Sequence, residues 1–430
     1  MRQWMVAAKK ADFYVIAEKF HVDPVVARII RNREVIGEKN IRIYLGGNLS
    51  DLSDPHQMKD MDRLVEILAQ KIRKQVHIRI IGDYDVDGVT SSHLFLTALR
   101  RVGAKVDVVI PHRIQDGYGL SLHLLQQAKE DGVDTILTCD NGIAAIDEIA
   151  WAKAQKMTVL VTDHHAVPFE EHEGRRTEKK SLADAVVNPH QQDCGYPYKE
   201  LCGAGVAWNV IRVLYENYDM DKREAEDLLD FVAMATVCDV MSLTGENRIL
   251  VKEGLKRIRH TKNIGLQALM QACNVQPENI SAYHFGYVLG PCVNATGRLD
   301  TARHALRLFE TGQETEAEEI ARDLVDLNQE RKELTLQGVE MAKKLCEEGG
   351  YENDPVLVLF LPDVHESIAG LIAGRIREMY NRPVFVLTRG EEGVKGSGRS
   401  TENYSMYENM CGCAELFTKF GGHPMAAGLS

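Results

Sequence analysis

Five aspartates and two histidines fall in three short stretches: Asp83-Tyr84-Asp85-Val86-Asp87-Gly88, Asp140-Asn141-Gly142 and Asp163-His164-His165. Each stretch directly follows an apolar run of strand character, residues 76–81, 135–138 and 157–162. In an open α/β sheet, ligands sit outside the carboxyl ends of the parallel strands, so three such strands bring these side chains into one crevice. That many mutually repelling anions are tolerable together only when cations neutralise them. Hard carboxylate oxygens mixed with imidazole suit Mn²⁺ or Mg²⁺, which makes the crevice a metal-dependent catalytic site.

The alternate spacing of Asp83, Asp85 and Asp87 has other readings, and each fails on a residue. An EF-hand loop opening at Asp83 needs a bidentate glutamate at its twelfth position, where Leu94 stands. Asp85-Val86-Asp87-Gly88-Val89-Thr90 also resembles the nucleophile motif of haloacid-dehalogenase-like phosphatases, but those enzymes lack a downstream Asp-His-His. Helix capping explains one aspartate, not three at alternate positions. A turning backbone at a strand end aims the three carboxylates at points a few ångströms apart, so that two metals about 3.5–4 Å from each other can be held for in-line phosphoryl displacement. Asp140, alone in its motif, is the choice for the bridging carboxylate. Activated water serves as nucleophile, and no protein nucleophile is needed.

The elements that must position these groups follow from the rest of the chain. With 430 residues, 44% hydrophobic and 27% charged, the composition is that of a globular protein of two or three domains. No apolar run reaches the roughly 18 residues of a membrane helix, and Lys9-Lys10 comes too early for a signal peptide, so a cytoplasmic protein is expected. The nine cysteines include no C-x-x-C, which argues against a disulfide framework or zinc ribbon, and Cys411-Gly412-Cys413 reads as a free surface pair. The net charge of −12 argues against non-specific duplex binding but leaves room for a locally basic channel, with Arg100, Arg101, Arg113, Arg175, Arg176, Lys179 and Lys180 available. The run from Glu173 to Lys180 itself reads as a solvated loop.

Residues 1–75 read as an N-terminal helical cap. Between 76 and about 190, strands at 76–82, 105–110, 134–139, 157–162 and 184–188 alternate with helices at 92–102, 121–130 and 143–155, the rhythm of a doubly wound parallel sheet. Residues 203–285 are mostly helical, and the apolar helix 224–238 delivers Asp239 at its end; Gly290 to Leu299 reads as a loop. The first catalytic domain therefore covers 76–300, with a helical C-terminal part. A connecting helix region, 301–347, carries Ala317, Ile320, Leu324, Leu327 and Leu334 on one stripe, and places Asn328 and Arg331 on a shared face. A smaller α/β domain, 348–430, has strands at 356–361 and 383–387 around a helix at 367–380, and ends in Gly421-Gly422-His423-Pro424-Met425-Ala426-Ala427-Gly428. The fold class is α/β in two lobes, a doubly wound, mostly parallel sheet joined by a long helix to the smaller domain.

Together with the distal Asp239 and terminal Gly421-Gly422-His423, the three acidic stretches resemble the DHH/DHHA1 phosphoesterase superfamily, and within it the RecJ-type single-strand-specific exonucleases. The similarity extends over nearly the whole chain: Trp4, Asp54-Pro55 with Met58 to Asp62, Ile110-Pro111-His112-Arg113 with Asp116-Gly117-Tyr118-Gly119, the segment Asn294 to Leu299, and Ser397-Gly398-Arg399. It makes 76–300 a DHH domain and 348–430 a DHHA1 domain. It implies one metal on Asp83, Asp85 and Asp140, and another on Asp87, Asp140, His164 and Asp239. Asp163 and His165 would orient ligands or face a phosphate. Arg113, Ser397 and Arg399 would form the pocket for a 5′-terminal phosphate, since a guanidinium can hold that dianion with two hydrogen bonds. His423 and the Gly421-Gly422 backbone would contact substrate phosphates, with a tight turn as the simpler reading, and Arg298 would line the strand path.

The implied reaction is Mn²⁺- or Mg²⁺-dependent hydrolysis of single-stranded DNA from its 5′ end, releasing 5′-mononucleotides in recombination and repair, with single-strand-binding protein and a helicase as partners and no membrane. RecJ-type enzymes usually continue into an oligonucleotide-binding barrel, which this chain does not reach; a truncated or minimal form with a reduced grip on long strands is expected. Two other classes share parts of the pattern. A DHH enzyme for short oligoribonucleotides, cyclic dinucleotides or adenosine bisphosphate would keep the metals and differ in its pocket. A non-catalytic homologue would have lost ligands, and here the set is whole.

Overall fold

The computed structural model describes residues 9–113, 116–117, 119–172, 175–390 and 393–430; Trp4, Tyr118, Glu173 and Gly174, named above, lie outside them. The chain folds as two compact units, Met1–Gly297 with Thr301–Arg322, and Arg298–Asp300 with Asp323–Ser430.

The first unit is built on strands β1 (Ile78–Ile81), β2 (Val106–Val109), β3 (Thr135–Cys139), β4 (Thr158–Thr162) and β7 (Ala185–Val187) in the order β2-β1-β3-β4-β7, all parallel. Every residue of β1 and β3 is buried, as strands covered on both faces require. The one charged residue of β1, Arg79, is neutralised by both oxygens of Asp107 (2.9 and 2.7 Å) and by Asp131 (2.8 Å). Strand order reverses between β1 and β3, since β2 lies on one side and β3 and β4 on the other. The register is tight: Ile81 stands opposite Thr138, and Cys139 opposite Thr162. Gly82-Asp83, Asp140 and Asp163 therefore leave the sheet side by side at its carboxyl edge, next to the switch in strand order where ligands bind in such sheets.

Four local expectations give way to tertiary packing. The helix after β1 begins at Val86, not 92, because Asp85 caps it by accepting from the Gly88 amide at 3.0 Å. Its residues from Val86 to Leu96 are all buried, so no polar face marks its start. The 224–238 helix is two, Arg223–Glu226 and Leu229–Cys238. The expected loop Gly290 to Leu299 is instead a helix, its unfavourable glycines and asparagine offset by burial of Cys292, Val293 and Ala295. Pro291 stands inside a continuous helical stretch, directly after the π-helical turn Phe285–Leu289, a position its local preference disfavours. The charged 173–180 run contributes to a hairpin, β5 (Phe169–His172) with β6 (Arg175–Glu178), rather than a loop.

In the second unit β8 (Leu357–Phe360), β9 (Val384–Gly390), β10 (Gly393–Arg399), β11 (Phe420–His423) and β12 (Ala426–Leu429) form a sheet of order β11-β12-β10-β9-β8. Only β8 and β9 run parallel; β10, β11 and β12 pair antiparallel. Helix Glu366–Tyr380 buries Ile368, Ile372 and Ile376 with Leu357, Leu359, Val384 and Val386. The 36-residue helix Glu314–Gly349 runs through the boundary between the units and adds Val339, Ala342 and Cys346 to that core; on it Arg331 donates to Asn328 Oδ1 at 2.9 and 3.1 Å. Among the described residues no helix is long and apolar enough to cross a membrane.

Candidate active site

The three loops meet in the first unit. Asp83, Asp85 and Asp140 each place a carboxylate oxygen within 4.8 Å of the others; the carboxylate oxygens and ring nitrogens of Asp87, His164 and Asp239 converge as closely, as do those of Asp140, His164 and His165. His164 Nε2 lies 3.1 Å from Asp140 Oδ1 and 3.7 Å from both Asp87 Oδ2 and Asp239 Oδ2. Asp239, the residue closing helix Leu229–Cys238, thus joins groups more than seventy positions earlier in the chain.

Each acid is braced differently. Asp87 accepts from the Gly203 and Ala204 amides at 2.6 and 2.8 Å, the free donors at the start of helix Gly203–Asn217. Asp163 is fully engaged: its Oδ1 accepts from the His164 and His165 amides (2.7 and 3.1 Å) and meets His165 Nδ1 at 2.8 Å, while Oδ2 accepts from the Ile143 amide at 2.9 Å. Asp163 therefore orients the His165 ring and shapes its own loop rather than facing the cluster. Asp140 sits in the left-handed region at φ +61°, a conformation few non-glycine residues hold without support. Asn141 supplies that support, donating from its amide to the Ile81 and Cys139 carbonyls at 3.0 and 2.8 Å.

The electrostatics are those of a cluster short of positive charge. Burial, then the neighbouring Asp85, pushes the Asp83 carboxyl well above the usual range, and burial, then Asp87, raises Asp85. Asp140 is raised by burial and by the surrounding Asp87, Asp85, Asp83 and Asp163. Asp239 is pushed up to about 8 by burial, then Asp87 and Asp85. Burial also lowers His164, against the pull of Asp87. For Asp163 and His165 burial is the largest single effect, yet their mutual hydrogen bond and charge attraction, joined by the Ile143 and His165 amides at the acid and by Asp239 and Asp87 around the imidazole, together outweigh it, holding the acid low and lifting the imidazole to about 9. Asp83 Oδ1 is buried with no hydrogen-bond partner among the described residues. A hard divalent cation fits this donor set, because it satisfies the oxygens and removes the repulsion at once.

Some contributors carry no chemical signature in the sequence. A Cβ on Gly203 would stand 2.6 Å from Asp140 Cβ, and one on Gly88 would lie 2.5 Å from the Asp83 backbone. Both glycines are demanded by close approach to a candidate ligand residue. Asn294 Oδ1 accepts from the Val86 amide at 3.2 Å, and Asn188 donates to the His165 carbonyl at 2.9 Å. Glycines in a D-x-D-G string signal tightness, but nothing in 188, 203 or 294 points to these loops without the fold.

The remaining candidates divide between the units. Arg113, in the first, holds its guanidinium 4.9 Å from the Tyr84 ring centre, beside the aspartate loop. Ser397 and Arg399, in the second, lie on one face of β10, where Arg399 Nη1 donates to Ser397 Oγ at 3.2 Å and to the Gly398 carbonyl at 2.7 Å. Helix residue Gly370 makes room for both: a Cβ there would lie 2.7 Å from Ser397 Oγ and 2.8 Å from Arg399 Nη2. Arg298, grouped with the second unit, donates to the Ser367 carbonyl at 2.8 Å. His423 is exposed on β11, in a hairpin with β12.

A doubly wound sheet with an Asp-x-Asp-x-Asp, a lone Asp and an Asp-His-His at its carboxyl edge defines a class. Residues 77–236 match the DHH family, N-terminal domain, and residues 353–430 match the DHHA1 domain. The chain is 36% identical over 425 residues to the single-stranded-DNA-specific exonuclease RecJ of Haemophilus influenzae, covering 95% of this chain and 72% of that protein. Thermus thermophilus RecJ in complex with Mn²⁺ superposes with a TM-score of 0.81 at 29% identity, covering 97% of this chain and 58% of the Thermus chain. The same protein has been solved with Mg²⁺, with a TM-score of 0.74 at 28% identity, 97% of this chain and 56% of that one. The chain belongs to the RecJ family of single-stranded-DNA-specific exonucleases. It spans just over half the length of the Thermus protein.

Proposed function

We propose that this chain is a divalent-metal-dependent exonuclease that hydrolyses single-stranded DNA from its 5′ end to 5′-mononucleotides, in recombination and repair. The observation that carries the reading is the convergence of Asp83, Asp85 and Asp140 with Asp87, His164 and Asp239 at one sheet edge, in a chain of the RecJ family. In this reading the first trio holds one cation, and Asp87, His164 and Asp239, with Asp140 shared, hold a second. Bound there, Mn²⁺ or Mg²⁺ supplies Lewis-acid neutralisation of phosphodiester charge and activates water for attack on phosphorus.

The chain's own residues do the rest. The Gly203 and Ala204 amides fix both oxygens of Asp87, so the carboxylate keeps one orientation through turnover. Asp163 fixes His165 through Nδ1, leaving only Nε2 to meet a substrate oxygen. Arg113 in the first unit, and Ser397 with Arg399 in the second, each offer groups for a substrate's 5′-terminal phosphate, while Arg298 lines the strand path and His423 touches backbone phosphates. The protein acts in the cytoplasm, with single-strand-binding protein and a helicase as partners.

The test is digestion of a 5′-phosphorylated oligonucleotide labelled at its 3′ end, in Mn²⁺ or EDTA, beside its duplex and an RNA copy. A Mn²⁺-dependent ladder of shortening labelled products from the DNA single strand alone is expected. Loss of only the shortest RNA, or of a cyclic dinucleotide, would move the protein to the small-substrate branch of the superfamily.

A further inference from the structure

Two tyrosines of the first unit stand open to solvent, Tyr283 at 63% and Tyr287 at 73% exposure, with rings stacked on each other at a centroid distance of 5.1 Å and an interplanar angle of 25°. Large aromatic surface left in water forgoes burial, and here two adjacent rings do so together. The backbone beneath them is firmly held. Ser281 and His284 cap the segment's start, the Ser281 amide and hydroxyl lying 3.1 and 3.0 Å from His284 Nδ1. Phe285 and Leu289 are fully buried, and Cys238 Sγ donates to the Phe285 carbonyl at 3.3 Å, one residue before the ligand candidate Asp239. Phe285–Leu289 forms a π-helical turn, a rare conformation that recurs at functional sites.

The segment continues directly into helix Gly290–Leu299, which grips the aspartate loop through Asn294 Oδ1 and the Val86 amide, and whose Gly297 packs against the Tyr84 carbonyl. Seven residues, roughly 10 Å of helix axis, separate Tyr287 from Asn294. One continuous helical element thus carries both the exposed rings and a brace of the metal loop. A chain of net charge −12 has little overall electrostatic attraction for a polyanion, so stacking has a correspondingly larger part in holding a strand.

We propose that Tyr283 and Tyr287 form a stacking platform for the bases of single-stranded DNA on its way to the metal centre. The inference rests on the exonuclease reading and names the residues that give sequence-independent grip. Bases paired in a duplex are already stacked on their neighbours and do not offer their faces, so the platform also favours single strands. Both tyrosines are positioning residues, since neither touches the reacting phosphate.

The experiment uses the full chain with Mn²⁺ and a 5′-phosphorylated, 3′-labelled 12-nucleotide strand. Tyr283→Ala and Tyr287→Ala are expected to raise KM about 5- to 100-fold, with kcat within about twofold, while Tyr→Phe and Tyr→Trp at the same positions restore KM. An abasic residue scanned along the strand should raise wild-type KM by a similar factor at one or two positions and leave the alanine variants unaffected there, the coupling expected of a direct contact. Unchanged KM in the alanine variants, or failure of Phe and Trp to restore it, overturns the platform while leaving the exonuclease intact. Failure of the wild-type chain to shorten the strand at all overturns the exonuclease reading and this inference with it. Thermal midpoints matched between variants and wild type separate lost contact from lost fold; if an alanine variant does not melt normally, the abasic scan on the wild-type chain keeps the test decisive, since no rise in KM at any position overturns the platform.

Discussion

The two units handle negative charge in opposite ways. The first gathers its own: Asp83, Asp87, Asp140 and Asp163 are each 1–2% exposed, within a parallel sheet whose strand ends and helix N-terminus point backbone amides at the carboxylates. The second offers Ser397, Arg399 and His423 on antiparallel strands that are partly or fully open to solvent, made approachable by glycines. A catalytic metal centre needs ligands held against mutual repulsion, which only a buried, over-determined backbone provides. In the function proposed above, the second unit's groups meet a substrate's charge, and such a site needs access first, so few groups at a surface suffice. The interior set should therefore be intolerant of small geometric change, and the surface set should respond in proportion to the contact removed.

The largest effect is expected at Asp140, shared by two of the ligand groupings. Asp140→Asn should lower kcat at least about 10³-fold while leaving the thermal midpoint in EDTA equal or higher, because it removes a buried carboxyl whose charged form is disfavoured by burial and by four neighbouring aspartates. A comparable loss of both activity and stability would show that Asp140 serves folding rather than metal. Gly203→Ala sharpens the contrast, since it alters no chemical group; its Cβ, 2.6 Å from Asp140 Cβ, must displace that residue. A decline of about 10²-fold in kcat is expected, read beside circular dichroism to verify the fold.

Asp230 is an interior acid away from the ligands and serves as a control. It accepts from Thr261 Oγ1 and the Phe231 amide at 2.7 and 2.8 Å, yet burial, with Asp227 adding to it, pushes its carboxyl up to about 6. The folded state therefore holds a proton that the unfolded state releases near pH 4, so stability falls as pH rises from about 4 to 6 and stays lowered above that. Asp230→Asn should remove this residue's share of that slope, the raised acids Asp83, Asp85, Asp140 and Asp239 keeping theirs, and be more stable than wild type at pH 7.5, by on the order of 2–3 kcal/mol, in chemical denaturation. An Asn variant with the same slope as wild type across that window would mean the charged form of Asp230 is better solvated than its burial implies.

The smallest effect belongs to the surface set. Arg399→Ala should raise KM for 5′-phosphorylated strands about tenfold and change KM for 5′-hydroxyl strands little. Equal effects on both substrates would assign Arg399 to the strand's backbone instead of its terminal phosphate.

The aspartate motifs were legible because each sits within two residues of an apolar run, and a strand end is where sequence adjacency becomes spatial convergence. The parallel sheet was legible for the same reason, its buried strands reading as largely apolar, β-branched runs in β1, β3 and β4, interrupted by a charge only at Arg79. The helix at Gly290–Leu299 was not, since its glycines, proline and asparagine favour a loop locally and only burial against the rest of the unit reverses that preference. β10, with Gly393, Gly396 and Gly398, likewise lacks a strand's usual composition and exists because β9 and β12 pair with it on both sides.

The sequence by itself determined the chemistry: which acids and imidazoles are available, in what local spacing, and hence that a hard divalent metal is required. Tertiary structure alone decided how those groups are held. That Asp87 is clamped by the amides of Gly203 and Ala204 and that Asp239 meets His164 depend on helices brought from more than seventy residues away, and Asn141, which poises Asp140, is anchored on the Ile81 carbonyl of the neighbouring strand, 60 residues earlier. Local sequence encodes side-chain type and backbone preference, whereas the register between strand ends and helix N-termini is set by core packing, which is a property of the whole chain.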